Sequence, residues 1–310
     1  MSARRPPRGS RRARGARRSP LMGCLGVAGA VLGGVALVAV GATAVVALLD
    51  EVRPAAVAEP RCTAHLDGTD WTLSPDQAQN AALIAALGVR RDLPARAVTI
   101  ALATALQESR LENIDYGDRD SVGLFQQRPS QGWGTVEQIM DPVYSTTQFY
   151  DGLVEVPGYE DLEVTVAAQA VQRSGFPDAY AQHEVRSRAW ASALTGHSPA
   201  AVTCVLPGGA AATEDVAARL ARDLGDLPTT AAPGAEGVAP TVDVDATSLA
   251  PSDAVRAGWV AAQWAVAVAQ PTGVDLVAVG DQVWDRTAGA WSTVEEGALP
   301  PGQVRLTLAG

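Results

Sequence analysis

The chain has 310 residues, 47% of them hydrophobic and 19% charged, a balance that suits one or two packed cores and is too apolar for general disorder. Its net charge of −10 hides a split: every basic residue is arginine, eight arginines lie within the first 18 positions, and from Asp50 onward 16 arginines face 34 acids. A body that acidic lacks the basic face needed to neutralise a phosphate backbone, which argues against a nucleic-acid partner.

Leu21 to Leu49 form an uncharged apolar run of 29 residues, longer than the ~20 a helix needs to cross a bilayer. Arginines precede it and Asp50 and Glu51 follow it, so the positive-inside rule predicts a cytoplasmic tail at 1–20, one transmembrane helix at 21–49 and an extracytoplasmic body. The expected location is the cell membrane, single-pass. A cleaved signal peptide is the alternative, because Ala56-Val57-Ala58 has the small-x-small form. Cys24 lies in the apolar run, leaving Cys62 and Cys204 on the outer side, where a disulfide between them is expected. His65, His183 and His197 are scattered, and His183-Glu184 lacks the second histidine of a zinc-protease helix, so no metal and no cofactor is expected.

After a Pro/Ala linker at 50–61, residues 62–204 read as a mainly helical domain. Ser74-Pro75 opens a helix to about Leu87, and Pro94 opens another to about Leu111. Asp115 to Gly134 reads as loop or short hairpin, and further helices are predicted at 135–140, 142–154, 163–174 and 177–194, the last stopping at Gly196. Residues 205–246 read as a linker around one amphipathic helix at 214–224. The remainder, 247–310, reads as a small α+β domain, with a helix capped by Ser252 and strands at 274–279, 282–285 and 304–308. It holds Trp259, Trp264, Trp284 and Trp291, which either build a small core or offer faces for sugar rings.

The helix opened by Pro94 is apolar almost all round, so it should be buried and central. Glu108, near its end, follows Ala101 and Ala105 on an alanine-lined side, where desolvation disfavours the ionised form. The partial negative charge of the helix C-terminus acts in the same direction. A carboxylic acid that keeps its proton near neutral pH is what protonating a glycosidic oxygen requires. The opposing reading is a solvated glutamate, or a partner for Arg91 or Arg110.

Beyond Glu108-Ser109 the chain runs Gly117-Asp118-Arg119-Asp120-Ser121-Val122-Gly123-Leu124-Phe125-Gln126-Gln127. This combination resembles the lysozyme-like domains of soluble lytic transglycosylases and goose-type lysozymes, in which a helix ends in a Glu-Ser pair and a short β segment with Gly-Leu-Met-Gln follows. Here Gly123-Leu124-Phe125-Gln126 matches that segment with Phe for Met. It is also similar to extracellular cell-wall domains of actinobacterial membrane proteins. The expected fold class is therefore a mainly α lysozyme-like domain with a short β hairpin, preceded by one transmembrane helix and followed by the small α+β domain.

The resemblance implies Glu108 as the catalytic acid, with Ser109 orienting it. Gly123 would let the backbone approach a ligand, the Gln126 amide would bond sugar substituents, and Trp133 would offer a flat face to a ring. The later Ala-Tyr-Asn of these families has its best counterpart in Ala167-Ala168-Gln169, which makes Gln169 a binding candidate and leaves the phenol missing. Asp118, with Asp120 behind it, is the leading second carboxylate. An inverting hydrolase needs such a second carboxylate ~6.5–9.5 Å away; a lytic transglycosylase does not. The function implied is a peptidoglycan lytic transglycosylase that cleaves the bond between N-acetylmuramic acid and N-acetylglucosamine, with glycan strands as partner and a membrane contact through one helix. The alternatives are a hydrolytic muramidase, a non-catalytic glycan- or partner-binding module, and an anchor that binds envelope proteins through the C-terminal domain.

Overall fold

A computed structural model of the chain describes residues 59–176, 178–207, 212 and 214–309. The described part begins with a hairpin of β1 (Arg61–Leu66) and β2 (Thr69–Leu73), turned by Asp67 and Gly68, both at positive φ, as a tight two-residue loop demands. Ser74 then starts α1 (Pro75–Arg90): its hydroxyl accepts from the Gln77 amide while the Gln77 side chain accepts from the Ser74 amide, so two orphan donors of the helix start are satisfied reciprocally.

α2 (Ala95–Ser109) is buried along almost its whole length. It packs against α1, α4 (Pro142–Val154), α5 (Val164–Gln172) and α6 (Glu184–Leu194), and its alanines let those neighbours approach closely. The short helix α3 (Val136–Met140) lies just before α4. β3 (Val202–Val205) returns to pair antiparallel with β1, giving the order β2-β1-β3. Cys62 stands opposite Cys204 in that register, and a disulfide joins them across 142 residues, as the sequence predicts.

α7 (Val216–Leu224) leads to a second sheet. Its strands are β4 (Thr229–Ala232), β5 (Thr241–Asp245), β6 (Val274–Val279), β7 (Gln282–Asp285), β8 (Ala290–Thr293) and β9 (Gln303–Leu308), all antiparallel in the order β4-β5-β9-β6-β7-β8. α8 (Ala254–Ala267), followed by the single-turn α9 (Ala269–Thr272), packs against β6 and β9 and equally against α1, α6 and β3. The described residues form one compact unit.

Two expectations are corrected. The fold is not a mainly helical domain with one hairpin followed by a small separate α+β unit: the described residues carry two antiparallel sheets, of three and six strands. The C-terminal elements complete the core around α1 and α6. Gln263 of α8 accepts from the amides of Ala201 and Val202 and donates to the Ala193 carbonyl, while Trp284 and Trp291 donate to Thr203 Oγ1 and the Val202 carbonyl. The four tryptophans therefore pack and pin the interior, and Trp259 meets Trp291 edge to face at 5.1 Å. The single-pass cell-membrane placement is also corrected, since among the described residues no helix is long and apolar enough to cross a membrane. The predicted span at 21–49 lies outside the described residues.

Candidate active site

The end of α2 is shaped by an unusual turn. Arg110 and Leu111 both sit in the left-handed region, at φ 58° and 62°, and their amides close the helix onto the Leu106 and Ala105 carbonyls. Non-glycine residues in this region cost on the order of 1 kcal/mol or more each and persist only where the surroundings hold them. Here α1 holds them: Gln77 donates to the Arg110 carbonyl and Asn80 to the Leu111 carbonyl, each at 2.8 Å. The last turn of α2, with Gln107, Glu108 and Ser109, is thereby fixed in place.

Ser109 is buried and ties this turn to the following loop, donating to the Leu124 carbonyl at 2.7 Å and the Ala105 carbonyl at 3.1 Å. Phe125 fills the space beneath, stacked on Phe149 with ring centroids 4.6 Å apart. Gln107 faces the segment before α6, its amide oxygen accepting from Gln182 and from His183 Nε2, each at 3.1 Å.

Glu108 lies between these anchors. Its Oε1 accepts a 2.6 Å hydrogen bond from the phenol of Tyr180, and the Gln172 side chain, which also donates to the Phe125 carbonyl at 2.7 Å, bonds the same carboxyl. Burial pushes the Glu108 pKa up from its ordinary 4.5, and the Tyr180 and Gln172 hydrogen bonds partly offset that rise by stabilising the carboxylate. Tyr180 is itself fully buried, and burial together with the charge of Glu108 holds its proton well above the usual phenol range. The phenol is thus a fixed donor. The site combines a carboxyl whose pKa burial raises with two donors ready for the anion left when the proton departs.

The other sequence-predicted residues take different places. Gln126, at φ 48°, folds onto its own loop and donates to the Tyr116 and Gly123 carbonyls at 3.2 and 3.3 Å. A Cβ on Gly117 would fall 1.8 Å from Gln126 Oε1, so that glycine is required by the brace. Gly123 has φ +80°, and a Cβ there would stand 2.8 Å from the Ile139 carbonyl oxygen; its need for glycine comes from packing against α3. Asp118 is exposed and its ion pair, at 3.8 Å, is with neighbouring Arg119. Asp120 accepts from Arg128 and from the Ser130 amide and hydroxyl, contacts that hold its carboxyl well below the usual range, with the Ser130 amide contributing most. Gln169 is paired with Ser174, donating to its carbonyl and accepting from its hydroxyl. Trp133 is half-buried and lines a groove of about 520 Å³ with Gln131, Gly152, Val171 and Gln172. Through Gln172 that groove adjoins Glu108.

The phenol missing from Ala167-Ala168-Gln169 is supplied by Tyr180, from a different part of the chain. The signal that points to it is the Ala179-Tyr180 step, a dozen residues downstream of Ala167-Ala168. Gln172 carries no motif of its own.

No protein-family model matches the chain, and curated proteins give no match either.

Proposed function

We propose that this chain cleaves the glycosidic bond between N-acetylmuramic acid and N-acetylglucosamine in peptidoglycan, as a lytic transglycosylase with Glu108 as acid and then base. The observation that carries the reading is the half-buried Glu108 carboxyl, its pKa raised by burial and its oxygens facing the Tyr180 and Gln172 donors. The resemblance of Glu108-Ser109 and Gly123-Leu124-Phe125-Gln126 to transglycosylase and goose-type lysozyme motifs supplies the substrate class.

In the first step Glu108 gives its proton to the bridging oxygen, and the bond from that oxygen to C1 breaks. Tyr180 and Gln172 stabilise the carboxylate as it forms, which lowers the barrier because these bonds strengthen with the developing charge. In the second step the carboxylate takes the proton of the muramoyl 6-hydroxyl as that oxygen bonds to C1, closing a 1,6-anhydro ring and returning Glu108 to its starting state. This route uses one carboxyl. It is favoured over inverting hydrolysis because the two sequence-predicted candidates for a water-activating base are otherwise engaged: Asp118 is exposed and beside Arg119, and Asp120 is tied to Arg128 and Ser130.

The test incubates the full chain and its Glu108→Gln form with isolated peptidoglycan and identifies released muropeptides by mass spectrometry. Products ending in 1,6-anhydromuramic acid from the wild type alone are expected. Reducing ends would replace the transglycosylase with a hydrolase, and equal release by both forms would remove Glu108 from the chemistry.

A further inference from the structure

Phenylalanine is among the residues most often buried in a folded protein, and tyrosine is commonly part-buried. Among the described residues, the two most exposed large hydrophobic side chains are Phe176, 77% exposed, and Tyr116, 69% exposed. The other large hydrophobic side chains on the exposed surface are all valines. Both aromatics lie on loops that are linked through hydrogen bonds to Glu108.

Tyr116 follows the left-handed turn at the end of α2, and its carbonyl accepts from the Gln126 amide. Gln126 adjoins Phe125, whose carbonyl accepts from Gln172, the partner of Glu108. On the second loop, the Phe176 amide donates to the Ser174 hydroxyl. Ser174 is bound to Gln169 and also to Tyr180, which donates to Glu108. The backbone that carries each exposed ring is therefore linked to the carboxyl by a few hydrogen bonds, with the peptide link between Phe125 and Gln126 completing the first route. The bonds fix the Tyr116 carbonyl and the Phe176 amide, which reduces the backbone ordering a ligand must pay for.

We infer that Tyr116 and Phe176 are stacking platforms for a polysaccharide chain, gripping pyranose rings next to the one whose bond lies at Glu108. The inference rests on the glycan-cleaving reading of Glu108 and extends it to two residues outside the motifs. The apolar faces of sugar rings stack on aromatic rings while their hydroxyls stay in water, which suits rings exposed on one face. A partner protein would need a wider apolar patch, whereas here two separate aromatics stand in polar loops that include Asp115, Asp118 and Arg119 on one side and Ser174 and Gly175 on the other.

The experiment measures binding of a neutral N-acetylglucosamine hexamer to the full chain carrying Glu108→Gln, by calorimetry, with Tyr116→Ala, Tyr116→Phe, Phe176→Ala and Phe176→Leu added singly. Both positions are exposed, so the fold should survive each change. Each alanine variant is expected to bind roughly three- to tenfold more weakly. Tyr116→Phe should restore affinity, because the ring is what stacks, and Phe176→Leu should not, because an aliphatic chain has no flat face. In the Glu108 background, KM for peptidoglycan should rise with kcat unchanged to within about twofold.

Alanine variants that bind the hexamer as tightly as their parent, with normal turnover and KM, would overturn the platforms and leave the glycan-cleaving reading intact. Absence of any muropeptide release by the wild type, together with no hexamer binding, would overturn both. Unchanged glycan binding alongside loss of self-association in the alanine variants, seen by sedimentation, would reassign the rings to a contact between copies of the chain.

Discussion

Replacing Tyr180 with phenylalanine tests the centre of the site. The Tyr180 ring is fully buried and keeps its packing in the variant, so the change removes only the hydroxyl 2.6 Å from Glu108 Oε1. A hydrogen bond to a charged group contributes about 1.5–3 kcal/mol. The bond favours the carboxylate, so its loss moves the Glu108 pKa further up. Because the carboxylate forms as the proton leaves, the same energy appears in the barrier, and kcat is expected to fall roughly 10- to 150-fold. Gln172 remains as a donor, which favours the lower end of that range. The assay is the initial rate of muropeptide release between pH 4 and 9, with a thermal melt of each protein beside it. The limb on which activity falls with rising pH reports loss of the acid's proton, so it should move to higher pH while the maximum falls. A folded variant with the wild-type pH profile and undiminished kcat would refute the coupling of Tyr180 to Glu108.

The pKa of Glu108 is raised in the folded chain, so the folded state binds more protons than the unfolded one above pH 4.5. Its contribution to stability is therefore full below pH 4.5 and is lost as pH rises through the folded value; urea denaturation should show Glu108→Gln gaining stability relative to wild type at pH 8 compared with pH 4. Ser109→Ala leaves the buried Leu124 carbonyl without its 2.7 Å donor and should cost about 1–3 kcal/mol, read from the same denaturation curves. Gly117→Ala puts a methyl where Gln126 Oε1 lies, which should release the Tyr116 carbonyl, so that KM rises and stability falls together. Converting Cys62 and Cys204 together to serine opens a closure of 142 residues and should cost up to about 5 kcal/mol in the chain-entropy model; a melting temperature that does not move would show that the β1–β3 ladder holds without it.

Local signals made the helices legible. Ser74-Pro75 and Pro94 mark helix starts by chemistry confined to a few residues, and the alanine-rich face of α2 signals burial whatever its packing partner. The first sheet was not legible for the opposite reason. β1 reads Arg-Cys-Thr-Ala-His-Leu, with an apolar face too short to declare a strand, and its stability comes from β3, some 140 residues away. The cysteine pairing was readable, but the backbone ladder that accompanies it was not. In the second sheet, β4 is Thr-Thr-Ala-Ala and exposed throughout; it exists because β5 offers a free edge, and nothing in those four residues says so.

The site divides along the same line. The motif residues proved to be mostly scaffold: Ser109 ties helix to loop, Gly117 makes room, Gly123 meets α3 and Gln126 braces backbone carbonyls. The groups that touch the Glu108 carboxyl, Tyr180 and Gln172, come from 72 and 64 residues further along and belong to no motif. A short motif can specify the shape of a loop, because shape is set by neighbours in sequence. It cannot specify the partners of a buried acid, because those arrive by packing from any element that reaches the same place. For a chain of this kind, a substitution in the Gly117–Gln127 segment should therefore disturb the site through geometry, with KM and stability moving together, whereas a substitution at Tyr180 should act through charge and shift the pH profile. Comparing Gly117→Ala with Tyr180→Phe in one assay separates the two, and the reasoning fails if both variants shift the alkaline limb alike.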